Sequence, residues 1–160
     1  MVAVGDQVPD IELKTMNSEG SPVSVRTTDV LGNGKVVLFA VPGAFTPGCS
    51  RVHLPGFVTQ ADELKAKGVD TIACIAVNDA WVMDAWAKAH DVGDKIVMLA
   101  DGSGDFTRAM DLVMDGTGFG LGLRSQRYAA VLENGVIQQL NVEASGGISV
   151  SSCESVLAGL

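Results

Sequence analysis

Three continuous apolar runs of strand length stand at intervals along the chain. Residues 35–41 read KVVLFAV, residues 71–77 read TIACIAV, and residues 96–100 read IVMLA. A run without polar alternation is typical of a strand that is buried on both faces of a sheet. The pattern therefore predicts three buried strands.

The segments that follow these runs have helical spacing of their apolar residues. Residues 48–67 carry an approximate apolar stripe, which predicts a long helix with a kink at Pro55 and Gly56. Residues 78–90 open with Asn-Asp and predict a second helix. Residues 105–112 predict a third.

The two ends of the chain show turn and cap signals. Residues 11–16 and 22–26 predict a pair of short strands, and Asn-Gly between residues 128–133 and 136–142 predicts a hairpin. The terminal segment contains Ser151 and, three residues later, Glu154, a spacing that predicts a capping box.

The segment over residues 114–124, MDGTGFGLGLR, is rich in glycine and predicts a loop. Strands that alternate with helices and end in a hairpin and a helix favour an α/β sandwich with a mixed central sheet. This layout suits a thioredoxin-like fold, which we expect to occupy residues 1–160 as one domain.

Composition narrows the classes of function. The chain has 160 residues, of which 47% are hydrophobic, and a net charge of −8, which argues against binding to nucleic acid or to an anionic membrane surface. The N-terminus resembles neither a signal peptide nor a membrane anchor. We therefore expect a cytoplasmic protein, or an organellar one if a presequence has been removed.

Cys49 is the residue that points to chemistry. It follows a predicted strand and the stretch VPGAFTPG, residues 41–48, and should lie in the first turn of the next helix. Unpaired N–H groups and the helix dipole stabilise a thiolate there. Cys49 is therefore a candidate nucleophile, and the alternative is an inert buried thiol.

Several polar residues are candidate partners for this thiol. The hydroxyl of Thr46 could contact a small polar molecule at the sulfur, or it could cap the helix. His53 shares a helix face with Cys49, but no third group completes a cysteine hydrolase, so we expect His53 to line the pocket wall. The residues alone leave open whether Arg51, Arg124 or Arg127 supplies a positive charge.

The stretch PGAFTPGCS followed by HLPGF, residues 42–50 and 53–57, closely resembles the type II or peroxiredoxin-five subgroup of the peroxiredoxins. The likeness extends to GLRSQRY and LNVE near the end of the chain. It implies a thioredoxin-like fold, a homodimer, and thiol-dependent reduction of hydrogen peroxide and organic hydroperoxides. We expect no cofactor, and no metal site, because Cys49 and His53 make only two ligands. The likeness also implies that Cys49 is the peroxidatic cysteine, Thr46 its hydroxyl partner, Pro42 a shield of the pocket and Arg127 the active-site arginine.

The sequence does not decide which thiol would return Cys49 to its reduced form. Attack on peroxide leaves a sulfenic acid on Cys49, which a thiol must reduce. Cys74 and Cys153 are both candidate resolving cysteines, but Cys74 lies in a predicted core strand. We therefore favour an external thiol, glutathione with glutaredoxin or thioredoxin. The alternative function is a peroxide sensor that uses the same thiolate without sustained turnover.

Overall fold

The computed structural model describes residues 1–160, and strands and helices alternate along the chain. The strands are β1 (Glu12–Met16), β2 (Pro22–Arg26), β3 (Lys35–Ala40), β4 (Thr71–Ala76), β5 (Val97–Ala100), β6 (Val113–Asp115), β7 (Leu123–Ser125), β8 (Tyr128–Glu133) and β9 (Val136–Val142). The helices are α1 (Thr27–Leu31), α2 (Leu54–Thr59), α3 (Ala61–Ala66), α4 (Ala80–Ala89), α5 (Asp105–Ala109) and α6 (Cys153–Ala158), with a π-helical turn at Cys49–His53 and a 3₁₀ turn at Thr117–Phe119. The three apolar runs form β3, β4 and β5, as predicted.

Seven strands form one mixed sheet in the order β2-β1-β5-β4-β3-β8-β9. The strand β4 lies between β3 and β5 and is parallel to both, whereas β1 and β8 join this parallel group in the antiparallel sense. The loops that leave the carboxyl ends of parallel strands share one edge of a sheet. The loop that leads to Cys49 and the segment that begins at Asn78 therefore lie at the same edge.

The predicted hairpin is present. Strand β8 pairs with β9, and both Asn134 and Gly135 have positive φ, of 49° and 81°, as the tight turns of hairpins require. Arg127 precedes β8 and Glu143 follows β9, and the N–H of Glu143 donates to the carbonyl of Arg127 at 3.0 Å. The hairpin thus brings its two ends together beside the loop that leads to Cys49.

Helices cover both faces of the sheet. Val37 and Phe39 of β3 pack on the face that α2, α3, α4 and α6 cover, whereas Val36 and Leu38 pack on the face that α1 and α5 cover. This alternation follows from the two-residue period of a strand. The predicted mixed α/β architecture is confirmed, and Cys49 belongs to the core of the first face.

The long helix expected over residues 48–67 is divided into two helices. Gln60, with φ −105° and ψ 14°, separates α2 from α3. Pro55 closely follows the π-helical turn at Cys49–His53, in the first turn of α2, and it removes one N–H donor from the helix at this point. The helical geometry changes from π to α just before Pro55, whereas the helix itself breaks at Gln60, and the kink at Pro55 and Gly56 stays a prediction.

The loop predicted over residues 114–124 is confined to residues 116–122, and the ends of the predicted segment belong to strands. Strands β6 and β7 pair in the antiparallel sense as a separate two-stranded sheet. The glycines serve the connection between them, because Gly120 and Gly122 adopt positive φ of 72° and 67°, a conformation that side chains disfavour. No helix in the structure has the length and apolar character needed to span a membrane.

Candidate active site

Cys49 is the first residue of the π-helical turn and is fully buried. The carbonyl of Thr46 accepts the N–H of Ser50 at 2.9 Å, and the carbonyl of Cys49 accepts the N–H of Leu54. The sequence predicts this place in the first helical turn. A wider π-helical turn at a chain's functional site is a recurrent arrangement.

The loop before Cys49 has a strained conformation that its neighbours hold. Phe45 has φ 67° and is 54% exposed, a conformation that costs a bulky residue about 1–2 kcal/mol. The N–H of Ala44 donates to Oδ1 of Asn78 at 3.0 Å. Arg124 donates to the carbonyl of Val77 at 3.2 Å. Asn78, two residues after the end of β4, therefore supports the loop that follows β3.

Two side chains contact the sulfur of Cys49. Oγ1 of Thr46 lies 3.0 Å from Sγ, and Nη2 of Arg127 lies 3.3 Å from it. The Thr46 hydroxyl also lies 2.7 Å from the carbonyl of Gly43. A hydroxyl carries one proton, so it donates to either the carbonyl or the sulfur and can accept from a third group.

Arg127 is a buried cation without a carboxylate partner. It is 8% exposed, and it takes part in none of the ion pairs of the protein. Its Nε has no hydrogen-bond partner. A buried charge requires compensation, and a thiolate at Cys49 is the anion that this geometry can supply.

His53 contacts the terminal nitrogen of the guanidinium that does not contact the sulfur. Its Nδ1 lies 2.9 Å from Nη1 of Arg127, and its Nε2 lies 2.8 Å from the carbonyl of Ser151. A carbonyl only accepts, so Nε2 carries the hydrogen and Nδ1 accepts from the guanidinium. Burial, together with the nearby guanidinium, lowers the pKa of His53 to about 4. The imidazole is therefore uncharged at neutral pH, and His53 is only 1% exposed.

Glu143 holds the segment that presents the Ser151 carbonyl. Its carboxylate accepts from the N–H and hydroxyl of Ser149 and from the N–H and hydroxyl of Ser151, at 2.6–3.0 Å. Burial opposes ionisation, but these hydrogen bonds prevail and lower the pKa of Glu143 to about 2. Because the Ser151 hydroxyl is engaged here, Ser152 caps α6 instead, and the predicted capping box at Ser151 is wrong.

A cleft of about 380 Å³ opens beside the guanidinium. Pro42, which is half-buried, stands in its wall. The other lining residues are Val113, Met114, Gln126, Arg127, Glu143, Ala144, Ser145 and Gly146. Pro42 and Arg127 thus border the same opening.

The other two cysteines lie in the same core as Cys49, and all three are free thiols. Cys74 is on β4 beside Phe39 of β3, in the core strand where the sequence places it. Burial raises the pKa of Cys74 well above its ordinary value. Burial and, secondarily, Glu154 raise the pKa of Cys153 to about 12. Neither thiol is ionised at neutral pH in this conformation.

The titration of His53 predicts a specific acid sensitivity. Its pKa falls from 6.5 to about 4 on folding, so the unfolded chain binds more protons and stability declines as pH falls from 6.5 to 4. The loss should reach about 3 kcal/mol and then level off. The measurement is the free energy of unfolding by denaturant between pH 7 and pH 4. His53→Asn should lack this part of the pH dependence, and equal slopes for the two proteins would contradict the assignment.

Comparison with known proteins gives consistent matches over the whole chain. The redoxin family profile matches residues 3–157. Peroxiredoxin-2E, chloroplastic, of Arabidopsis thaliana is 45% identical over 99% of this chain and 69% of its own length. Peroxiredoxin-2C of Oryza sativa subsp. japonica is also 45% identical, over 99% of this chain and 98% of its own. The crystal structure of reduced Prx3 of Vibrio vulnificus in complex with hydrogen peroxide is 52% identical, with a TM-score of 0.94 and 99% coverage of both chains.

Proposed function

The chain belongs to the redoxin family and, within it, to the type II peroxiredoxins, which are thiol peroxidases, and we propose that it reduces hydroperoxides through the thiolate of Cys49. Family membership confirms the predicted thioredoxin-like fold. The observation that carries the assignment of Cys49 is its sulfur, held between the hydroxyl of Thr46 and the guanidinium of Arg127.

The first step forms a sulfur–oxygen bond and breaks the oxygen–oxygen bond of the peroxide. The Cys49 thiolate attacks one peroxide oxygen and becomes a sulfenic acid, while the other oxygen leaves as hydroxide or alkoxide and takes a proton. Negative charge therefore moves from the sulfur to the leaving oxygen. Donors that are already aimed along this path stabilise the transition state more than the ground state.

Arg127 and Thr46 supply such donors. The guanidinium is permanently charged and presents several N–H groups in a fixed plane, and its Nε has no protein partner. The Thr46 hydroxyl, between the Gly43 carbonyl and Sγ, can accept from the bound peroxide and donate after rotation. Pro42 narrows the approach beside Arg127. The related Prx3 of Vibrio vulnificus has been crystallised in complex with hydrogen peroxide.

Rapid mixing with hydrogen peroxide tests this function directly. Trp86 is fully buried, and its Nε1 donates to Oγ of Ser50 at 2.9 Å. Because Ser50 is the residue next to Cys49 in the chain, the fluorescence of Trp86 should change when the Cys49 sulfur is oxidised. Trp81 is 64% exposed, and Trp81→Phe removes its background signal. A fast fluorescence change, first order in peroxide, is expected, and no reaction with peroxide would exclude the function.

An external thiol completes the cycle. Glutathione attacks the sulfenic sulfur, water leaves, and a second thiol, from glutaredoxin or from thioredoxin, releases Cys49 from the mixed disulfide. The pKa values of Cys74 and Cys153 are both raised by burial, which makes either a poor attacking thiolate in this conformation.

The double variant Cys74→Ala/Cys153→Ala should therefore keep at least about half of the wild-type turnover with glutathione and glutaredoxin. Mass spectrometry after one equivalent of peroxide should show a sulfenic acid or a glutathione adduct on Cys49. A disulfide between Cys49 and either other cysteine, together with loss of turnover in the variant, would show internal resolution.

Three further features stay predictions: sustained turnover, the homodimer and the location in the cell. A sensor that uses the same thiolate would stop after one equivalent of peroxide, so sustained turnover separates it from an enzyme.

The homodimer can be measured by sedimentation, and exposed Phe45, in the loop before Cys49, is an apolar side chain available for the dimer contact. The cytoplasmic location also stays a prediction, and one relative is named as chloroplastic.

A further inference from the structure

A continuous chain of hydrogen bonds joins the end of the hairpin to the sulfur of Cys49. It runs from the carboxylate of Glu143 to Ser151, from the Ser151 carbonyl to His53, and from His53 to Arg127. The guanidinium is the last member and contacts Sγ at 3.3 Å. We infer that Glu143 and Ser151 are positioning residues that hold Arg127 against Cys49 through His53, a role that rests on the proposed function.

The guanidinium needs such support because little else orients it. Two of its nitrogens have partners, Nη1 with His53 and Nη2 with Cys49, while Nε has none. Two contacts in the plane of the group define its position. A displaced imidazole would therefore release the guanidinium from the sulfur.

Packing alone does not set the imidazole. The ring of His53 lies 5.1 Å from that of Phe39 and 5.6 Å from that of Phe57, tilted by 55° to each. These contacts confine the ring but do not decide which nitrogen carries the hydrogen. The Ser151 carbonyl decides it, because the other tautomer would direct an N–H of His53 at an N–H of Arg127.

Glu143 fixes the carbonyl in turn. Its Oε2 accepts both the N–H and the hydroxyl of Ser151, each within 2.8 Å, so the peptide segment that carries the carbonyl is clamped from two atoms. Ser151 is fully buried. Groups of this kind, hydrogen-bonded behind a reacting centre, orient the residues that touch the substrate.

Ser149 offers a matched control. Its hydroxyl donates to the same carboxylate at 3.0 Å, but its carbonyl accepts from the hydroxyls of Ser152 and Ser155 rather than from His53. Ser151→Ala and Ser149→Ala each remove one hydroxyl from Glu143. Only Ser151→Ala loosens the residue whose carbonyl contacts His53.

The experiment is the pH dependence of iodoacetamide alkylation at Cys49, located by mass spectrometry. Ser151→Ala should shift the midpoint upward by about half a pH unit, and the rate with peroxide below that midpoint should fall about threefold. Ser149→Ala should stay close to wild type in both. Alkylation requires no peroxide turnover, so a shift in a protein that lacked peroxidase activity would refute the function and leave the positioning role.

A second comparison excludes a purely structural role. Loss of a hydroxyl can lower the melting temperature in both serine variants, but only the positioning role moves the alkylation midpoint. In His53→Asn, whose amide oxygen can still accept from Arg127 but is too short to reach Ser151, adding Ser151→Ala should cause no further shift. An unchanged midpoint in folded Ser151→Ala, or equal shifts with and without His53, would overturn the inference.

Discussion

Replacement of Cys49 by serine should lower the second-order rate with hydrogen peroxide by more than about a thousandfold. The serine hydroxyl is almost isosteric with the thiol but stays un-ionised at neutral pH, so no anion is available to attack the peroxide. The fold should persist, because Thr46 and Arg127 can still contact an oxygen at this position. The measurement is stopped-flow fluorescence with hydrogen peroxide in excess.

Cys153→Ser is the matched control for this substitution. Cys153 is also a buried free thiol of the same core, but no polar side chain contacts its sulfur, so its loss should leave the peroxide step unchanged. Full turnover in Cys49→Ser, or an equal loss in Cys153→Ser, would contradict the assignment of Cys49 as the reacting residue.

Arg127→Gln should lower the peroxide rate by about 100- to 1000-fold, because it removes a donor aimed at the developing charge. The amide carries no charge and cannot contact both His53 and Cys49. The pH midpoint of alkylation at Cys49 should also move upward, since the thiolate loses its cationic neighbour. Arg127→Lys should fall between wild type and Arg127→Gln, as the ammonium keeps the charge but not the planar geometry.

Arg51→Gln is the control for a change of charge near the site. Arg51 stands two residues after Cys49 but is exposed, and it makes none of the protein's ion pairs. Its rate should match wild type. If Arg51→Gln and Arg127→Gln lost activity equally, general electrostatic attraction, rather than contact with the sulfur, would explain the requirement.

The central sheet could be predicted from the sequence because its strands and its hairpin are marked by short local patterns. Continuous apolar runs identified β3, β4 and β5, and Asn134-Gly135 identified the hairpin, since both depend on neighbouring residues. The boundary at Gln60 was missed because Pro55 is the stronger breaker in a helix interior. Gln60 is neither glycine nor proline, so no local signal marks the position of the break.

The site was predicted unevenly for a related reason. The place of Cys49 follows from the strand and helix beside it, whereas Arg127 lies 78 residues away and entered through the family resemblance. His53 and Ser151 are 98 residues apart in the chain, and the spacing of apolar and polar residues carries no information about contacts between such distant positions. Glu143, at the end of a strand, carries no local signal that separates it from an exposed acidic residue.

The absence of an ion pair between Arg127 and any carboxylate would, on the proposed function, couple the redox chemistry to the stability of the fold. A thiolate on Cys49 compensates the buried guanidinium, but a neutral sulfenic acid or mixed disulfide does not. Each turnover would then pass through a form that is held together less strongly at its active site. The sulfur is fully buried, so on the proposed function oxidation would loosen the contacts that cover it and would help a bulky reductant to reach it.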